Sequence, residues 1–178
     1  MRVIAGEFRS RVLKTLPGME VRPTPDRLRE ALFSILAPSL EGAVFLDAYA
    51  GTGSVGIEAL SRGALRAVFI EKNRAAMLVI RENLRSLKIE DRAEVVFGRT
   101  AQLIARQQAD IVFLDPPYPL EKEYSATLNA LGETVAVRSV IAQHASRLEL
   151  AESYGGLVRF RVLKQGDNSL SFYRPLTA

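Results

Sequence analysis

Val44-Phe45-Leu46-Asp47-Ala48-Tyr49-Ala50-Gly51-Thr52-Gly53-Ser54-Val55-Gly56 decides the fold. Val44, Phe45 and Leu46 make a short apolar run of the kind buried on both faces of a parallel sheet. Gly51, Gly53 and Gly56 follow in the spacing G-x-G-x-x-G. A helical pattern from Val55 to Arg62 comes next, closed by Gly63. Strand, glycine loop and helix in this order offer backbone N–H groups and a positive helix end to an anionic group. Glu71 ends the next apolar run, 20 residues after Gly51. An acid at that place accepts hydrogen bonds from ribose hydroxyls, so the loop asks for an adenosine-like ligand.

Asp47 chooses between two such ligands. A dinucleotide would put its pyrophosphate at the helix end, where Asp47 repels it. S-adenosylmethionine would put a carboxylate there, and its cationic groups suit an acid. Asp47 therefore favours S-adenosylmethionine over an NAD-type cofactor, and a methyltransferase over an oxidoreductase.

Outward from this loop the chain alternates strands and helices, which predicts a doubly wound, mostly parallel sheet. Strands are expected at Val44–Leu46, Ala67–Ile70, Val95–Phe97, Ile111–Leu114 and Val137–Ala142. Helices are expected at Asn73–Leu87 with Asn73 as cap, at Ala101–Arg106 and at Glu121–Leu131. Leu157–Leu163 and Ser169–Tyr173 flank a turn signal, Gln165-Gly166-Asp167-Asn168, and read as an antiparallel C-terminal hairpin. At the other end, Arg2–Ala5 and Arg11–Thr15 read as a basic hairpin. An extended link, Arg22-Pro23-Thr24-Pro25, leads into a helix from Asp26 to Leu36, capped by Thr24 or Asp26 and ended by Pro38. The expected division is a basic extension over residues 1–25 and one catalytic domain over 26–178.

A second stretch carries chemistry. Asp115-Pro116-Pro117-Tyr118 follows the apolar run Ile111–Leu114, at a strand's carboxyl end, where open α/β sheets bind ligands. Neither proline can donate a hydrogen bond. The corner therefore offers the Asp115 carboxylate and the Pro116 carbonyl as acceptors, beside the Tyr118 ring. Such a corner suits a flat heterocycle with an exocyclic NH2. A base amine is a poor nucleophile because its lone pair is delocalised. Two acceptors that take both hydrogens favour a pyramidal nitrogen whose lone pair faces an electrophile, which is stabilisation of the transition state.

Composition narrows the field. The chain has no cysteine and one histidine, His144, so thiolate chemistry and His-based triads or metal sites are excluded. No metal is expected. No apolar run approaches a membrane span of ~18 residues, and a cytoplasmic protein without a membrane partner is expected. The net charge is +4, and residues 1–29 carry all of it, with seven basic residues against three acidic ones. This asymmetry points to a polyanionic partner on the N-terminal side.

D-x-x-x-G-x-G followed by D-P-P-Y resembles the class I amino-methyltransferases of exocyclic base nitrogens. Those motifs also fit adenine-N6 methyltransferases acting on DNA or RNA and, more loosely, protein-glutamine methyltransferases. Arg2-Val3-Ile4-Ala5-Gly6, Arg22-Pro23-Thr24-Pro25-Asp26-Arg27-Leu28-Arg29-Glu30-Ala31-Leu32-Phe33 and Gly56-Ile57-Glu58-Ala59-Leu60-Ser61-Arg62-Gly63-Ala64 are similar to the RsmD-type family. The family methylates N2 of a guanine in small-subunit (16S) ribosomal RNA. The resemblance implies a seven-stranded Rossmann-like domain and ribosomal RNA, or the small subunit, as partner. It implies that Asp47, Ala48, Tyr49, Gly51, Gly53, Glu71, Lys72, Arg99 and Thr100 hold S-adenosylmethionine. It further implies catalysis by Asp115, Pro116, Pro117 and Tyr118. RNA would be bound through Arg2, Arg9, Arg11, Lys14, Arg22, Thr24, Arg27 and Arg29. Two departures stand out: Ser10 replaces a usual glycine, and Arg99 stands where relatives carry an acid that takes the adenine amino group. A non-catalytic nucleic-acid-binding module with a vestigial cofactor fold is the alternative of a different class.

Overall fold

Short apolar runs become strands because both faces of the sheet are covered. Five strands run parallel: β1 (Val44–Asp47), β2 (Arg66–Glu71), β3 (Ala93–Phe97), β4 (Ile111–Leu114) and β5 (Ser139–Ala145). Then β6 (Ser153–Tyr154), β7 (Leu157–Gln165) and β8 (Asn168–Pro175) add antiparallel pairs. The sheet order is β3-β2-β1-β4-β5-β8-β7-β6. β1 lies between β2 and β4, so the order reverses there, and the strand ends open a crevice for a ligand. The computed structural model describes residues 1–18, 24–117, 121–133 and 137–176. Arg22 and Tyr118 lie outside them.

The helices are α1 (Asp26–Leu40), α2 (Ser54–Ser61), α3 (Arg74–Leu87), α4 (Thr100–Leu103) and α5 (Glu121–Gly132). One sheet face packs Phe45, Phe113, Ile141 and Phe172 against Leu28, Leu32 and Phe33 of α1. Further along that face, Phe69 meets Ile57 of α2 and Ile80 and Leu84 of α3. The opposite face packs Leu46, Val112 and Val140 against Tyr124, Leu128 and Leu131 of α5. Helices on both faces make the sheet doubly wound, as the alternation of patterns predicts.

Four details differ from the sequence reading. The sheet has eight strands rather than seven, because Ser153 and Tyr154 pair with Val158 and Leu157. Two residues are too few to leave a periodic signal. α1 runs past Pro38 to Leu40. The proline stands in the last turn, where it forfeits one backbone bond, and burial of Leu40 holds the turn in place. Pro25 occupies the N-cap without a side-chain bond, and Thr24 Oγ1 donates to Gln143 Oε1 at 3.0 Å instead. β5 is shifted toward its carboxyl end and reaches Ala145, because β8 pairs with it as far as Ala145 and Asn168.

The basic N-terminal runs meet through a single antiparallel bridge, Arg2 with Val12. They make no longer ladder because side chains of α2 take their backbone groups. Ile4 and Ala5 donate N–H bonds to the Glu58 carboxylate at 2.9 and 3.0 Å. Phe8 donates to Ser61 Oγ at 2.9 Å, and Ser61 Oγ donates to the Ala5 carbonyl at 2.6 Å. Val3, Phe8 and Leu13 are buried in the core beneath. A side chain at Gly6 would strike the Ser61 carbonyl at 1.9 Å, so only glycine lets the segment lie this close.

Candidate functional site

A cleft of about 950 Å³ opens at the carboxyl ends of the parallel strands. Asp47, Tyr49, Gly51, Glu71, Lys72 and Thr100 line it, and so do Asp115, Pro116 and Pro117. The structure therefore brings the glycine loop and the acceptor corner into one cavity, although 64 residues separate Gly51 from Asp115.

The loop is held from inside. Asp47, at the end of β1, is 2% exposed and accepts the Gly56 N–H through Oδ2 at 2.9 Å. Glu71 accepts the Gly51 N–H through Oε2 and the Asn73 N–H through Oε1, each at 2.7 Å. It is thus a brace of the loop as well as an acceptor on the cleft wall. A Cβ on Gly51 would meet nothing within 4 Å, which leaves its backbone open to a ligand. Gly56 has the opposite reason: a Cβ there would lie 2.3 Å from the Phe69 ring, so this glycine lets α2 pack on β2.

Electrostatics mark the same residues. Burial raises the Asp47 carboxyl from 3.8 to about 7; the Gly56 bond opposes this and the Glu71 charge adds to it. Burial and then the Asp47 charge raise Asp115 to about 7. Among the described residues no cation pairs with Asp47, Glu71 or Asp115. Two strongly perturbed acids facing one cavity are the signature of a functional site. They suit a ligand that brings positive charge.

Other walls come from α5 and β5. Tyr49 Oη donates to Glu123 at 2.9 Å and shares a 2.7 Å bond with Thr127 Oγ1. Tyr124 Oη donates to the Gln143 carbonyl. Thr100 Oγ1 donates to the Ala48 carbonyl and ties α4 to the glycine loop. His144 is fixed by Ala145 O at 2.9 Å and Ser171 Oγ at 2.8 Å, and burial lowers its pKa. It packs edge-on to Tyr124 on the cleft wall, and the lowered pKa favours its neutral form.

Several expected residues stand elsewhere. Ala48 is wholly buried behind the wall, and Gly53 is buried at the start of α2. Arg99 is exposed at the N-cap of α4 and lies off the cleft; Thr100 beside it is the residue on the wall. Arg29 is not a surface cation. Its side chain is 0% exposed and donates to the Arg2 carbonyl at 2.8 Å and to Asp26 at 3.0 Å. Thr24 is buried against Gln143 in the cleft rather than on an outer face. Arg2, Arg9, Arg11, Lys14 and Arg27 are exposed.

Asn83 was not singled out in the sequence, yet it joins two parts of the site. Its Nδ2 donates to the Thr52 carbonyl of the glycine loop and to the Lys14 carbonyl, each at 3.1 Å, while Oδ1 accepts the Lys14 N–H at 2.8 Å. The available signal was an amide between Ile80 and Leu84 on the apolar face of a helix, since buried polar groups need partners. Gln143 and Tyr124 carried no comparable signal, because their roles depend on β5 and α5 meeting at the cleft.

The family described as conserved hypothetical protein 95 matches residues 1–174. The chain belongs to this family, the RsmD-type methyltransferases. YlbH of Bacillus subtilis is 33% identical over 182 residues, 98% of either chain. The Escherichia coli ribosomal RNA small subunit methyltransferase D is 42% identical over 120 residues, 66% of this chain and 60% of that one. The solved Escherichia coli protein yhhF superposes with a TM-score of 0.84 at 30% identity, covering 98% of this chain and 97% of that one. A Thermus thermophilus 16S rRNA N2 methyltransferase, solved with AdoMet and guanosine, shares the fold. Its TM-score is 0.71 at 22% identity, over 90% of this chain and 46% of that one. The names of these relatives describe methyl transfer, and those of YlbH and the Escherichia coli small subunit enzyme describe ribosomal RNA as the substrate.

Proposed function

We propose that the protein methylates the exocyclic N2 amine of a guanine in 16S ribosomal RNA, with S-adenosylmethionine as donor. The observation that carries this reading is the shared cleft: Asp115 and Pro116 stand on the same wall system as Asp47, Gly51 and Glu71. The residues present fit the cofactor. Gly51 leaves space at the loop, Glu71 offers an acceptor for ribose hydroxyls, and the buried Asp47 favours the cationic end. When bound, the cofactor supplies an electrophilic methyl carbon on a sulfonium centre. Lys72, Tyr49 and Thr100 complete that half of the wall.

Asp115 and the Pro116 carbonyl accept the two N–H bonds of the target amine, and Tyr118 stacks on its ring. The nitrogen gains one methyl group and loses one proton. Asp115, with a pKa raised to about 7, stands where it can accept that proton at neutral pH. The Thermus thermophilus protein of the same fold, an N2 methyltransferase solved with AdoMet and guanosine, supports the choice of guanine over adenine. The exposed basic residues Arg2, Arg9, Arg11, Lys14 and Arg27 meet RNA phosphates. Residues 1–25 act as an RNA-contacting extension to the catalytic domain.

The test is transfer of labelled methyl from S-adenosylmethionine to rRNA of a strain lacking the enzyme, followed by nucleoside analysis. N2-methylguanosine is expected. N6-methyladenosine as the product would replace this reading with the adenine one. Cofactor binding without transfer to rRNA or assembled subunits would leave a binding module.

A further inference from the structure

The sequence beyond residue 29 is neutral as a whole, but its charges are not evenly spread. Residues 157–176 hold four basic residues, Arg159, Arg161, Lys164 and Arg174, against one acid, Asp167. They form β7 and β8, the antiparallel arm at the sheet's far side. Arg161, Lys164 and Arg174 are exposed, and none is in an ion pair among the described residues. The N-terminal surplus is partly spent in comparison: Lys14 pairs with Glu82 at 2.8 Å and Arg29 is buried on Asp26.

An aromatic ring sits beside two of these cations, Arg161 and Arg174, while Lys164 pairs in register with Ser169 on the other face near the turn. Phe160 is 48% exposed and Val162 is 42% exposed. β7 and β8 slip register between Arg159 and Arg161, so Phe160 is the extra residue of a bulge. A bulge re-aims a side chain. Here it sets the Phe160 ring 6.2 Å from the buried Phe172 ring, with the Arg174 guanidinium 5.2 Å from the Phe160 centroid. The Arg161 guanidinium lies 5.9 Å from the Phe172 ring. Cations along an open strand edge also discourage strand addition. That role needs no exposed ring, and Phe160 works against it.

The arm is continuous with the cleft. Asn168, at its turn, lines the cleft wall, and Lys164 pairs in register with Ser169 beside it. From Asn168 to Arg174 the strand spans about 20 Å at ~3.4 Å per residue. That is the length of about six stacked nucleotides at ~3.4 Å each.

We propose that the β7–β8 arm is a second RNA-binding surface. Phe160 stacks on an unpaired base, Arg161 and Arg174 neutralise phosphates beside it, and Lys164 does so at the turn, where the strand passes over the sheet edge into the cleft. A ring for any base flanked by cations is how proteins hold single-stranded nucleic acid. The inference rests on the reading of the protein as an RNA methyltransferase.

The test measures binding of a single-stranded RNA, of naked 16S rRNA and of assembled small subunits at several salt concentrations, together with S-adenosylmethionine affinity. Phe160→Ala is expected to weaken single-strand binding about 5- to 150-fold, the range for loss of one base-stacking contact. It should leave the salt slope unchanged, and Phe160→Tyr should restore affinity. The triple change of Arg161, Lys164 and Arg174 to Gln should flatten the slope by up to about 2, at ~0.7 per phosphate on single strands. S-adenosylmethionine affinity should stay at the wild-type value in every variant, which reports an intact fold. Wild-type RNA affinity and slope in both variants would overturn the arm proposal while methylation by the wild type keeps the functional reading. Loss that appears only with assembled subunits and never with naked RNA would overturn it in favour of a protein contact. If the wild type binds RNA through the arm but methylates none, the surface stands and the functional reading fails.

Discussion

Asp47 and Asp115 are acids that the fold makes unfavourable and the ligand makes useful. Their folded-state pKa values, about 7, lie above the ordinary 3.8, so protons bind the folded, ligand-free protein more tightly than the unfolded chain. The sign follows: these two groups stabilise the empty protein at low pH, and that contribution is lost as pH rises from about 4 through about 7. The melting temperature without cofactor should therefore carry a component that falls between pH 5 and 8. Asp47→Asn should flatten it and raise the melting temperature at pH 8, because the amide oxygen still accepts the Gly56 N–H. The same variant should bind S-adenosylmethionine more weakly, as the cationic end loses its counter-charge. A melting temperature at pH 8 below that of wild type would show that the Asp47 charge is not a cost to the empty fold. For Asp115→Asn we expect near-normal cofactor affinity and a kcat reduced more than tenfold. Tenfold is only ~1.4 kcal/mol of transition-state stabilisation, so a smaller loss would remove Asp115 from the chemistry. Ser10 adds a prediction of a different kind. It stands at φ 68°, a left-handed conformation that glycine adopts without the steric cost a side chain brings. Ser10→Gly should relieve about 1 kcal/mol, which for a chain of this size raises the melting temperature by roughly 2–4 °C.

At the scale of elements, the sequence foretold β1, β4, the glycine loop, α3 with its Asn73 cap, and the C-terminal hairpin. Each rests on local patterning or a local bond, such as Asn73 Oδ1 accepting from Ala75 and Ala76. The N-terminal segment departs from its sequence pattern where its fate depends on partners far along the chain. Arg29 reads as a basic surface residue, yet it is buried because the Arg2 carbonyl, 27 residues away, comes to it. The G-I-E-A-L-S-R-G run carries a structural role beyond its resemblance. Its Glu58 and Ser61 are the anchors that hold residues 4–8 on α2. Glu58 is fully buried, and it also accepts from Arg62 Nε at 2.8 Å. Removing it strands two N–H groups and a guanidinium, and breaking a buried pair from one side costs about 3–5 kcal/mol. Glu58→Ala should lower the unfolding free energy by that order in urea titration and expose the first residues to protease. Glu58→Gln keeps an acceptor and should lose less. A Glu58→Ala protein within about 1 kcal/mol of wild type would mean that the apolar contacts of Val3, Phe8 and Leu13 hold the segment by themselves.

Across the whole molecule, the charge pattern and the cleft are parts of one surface. Met1, Arg2, Thr24 and Asp26 line the cleft together with the glycine loop, so the basic segment reaches the cavity that holds the proposed site. Its position follows from α2 and α3, which hold it through Glu58, Ser61 and Asn83. The sequence showed where the positive charge lies but not which cations are free, because some pairings are decided by distant neighbours, as for Lys14 with Glu82, 68 residues away. Arg9, Arg11 and Arg27 remain exposed and lie off the cleft wall. Changing these three to Gln separates RNA attraction from cofactor binding. The log K versus log salt slope on single-stranded RNA should flatten by up to about 2, at ~0.7 per phosphate. S-adenosylmethionine affinity should not move, and the loss should be nearly the same for different RNA sequences, since phosphate contacts position a chain without reading it. Because Arg11 also donates to the Ser86 carbonyl at 3.2 Å, Arg11→Lys serves as the control that keeps charge. An unchanged slope in the triple variant would move the electrostatic contact away from the N-terminal face. The free cations of β7 and β8 would then be the principal site of RNA attraction.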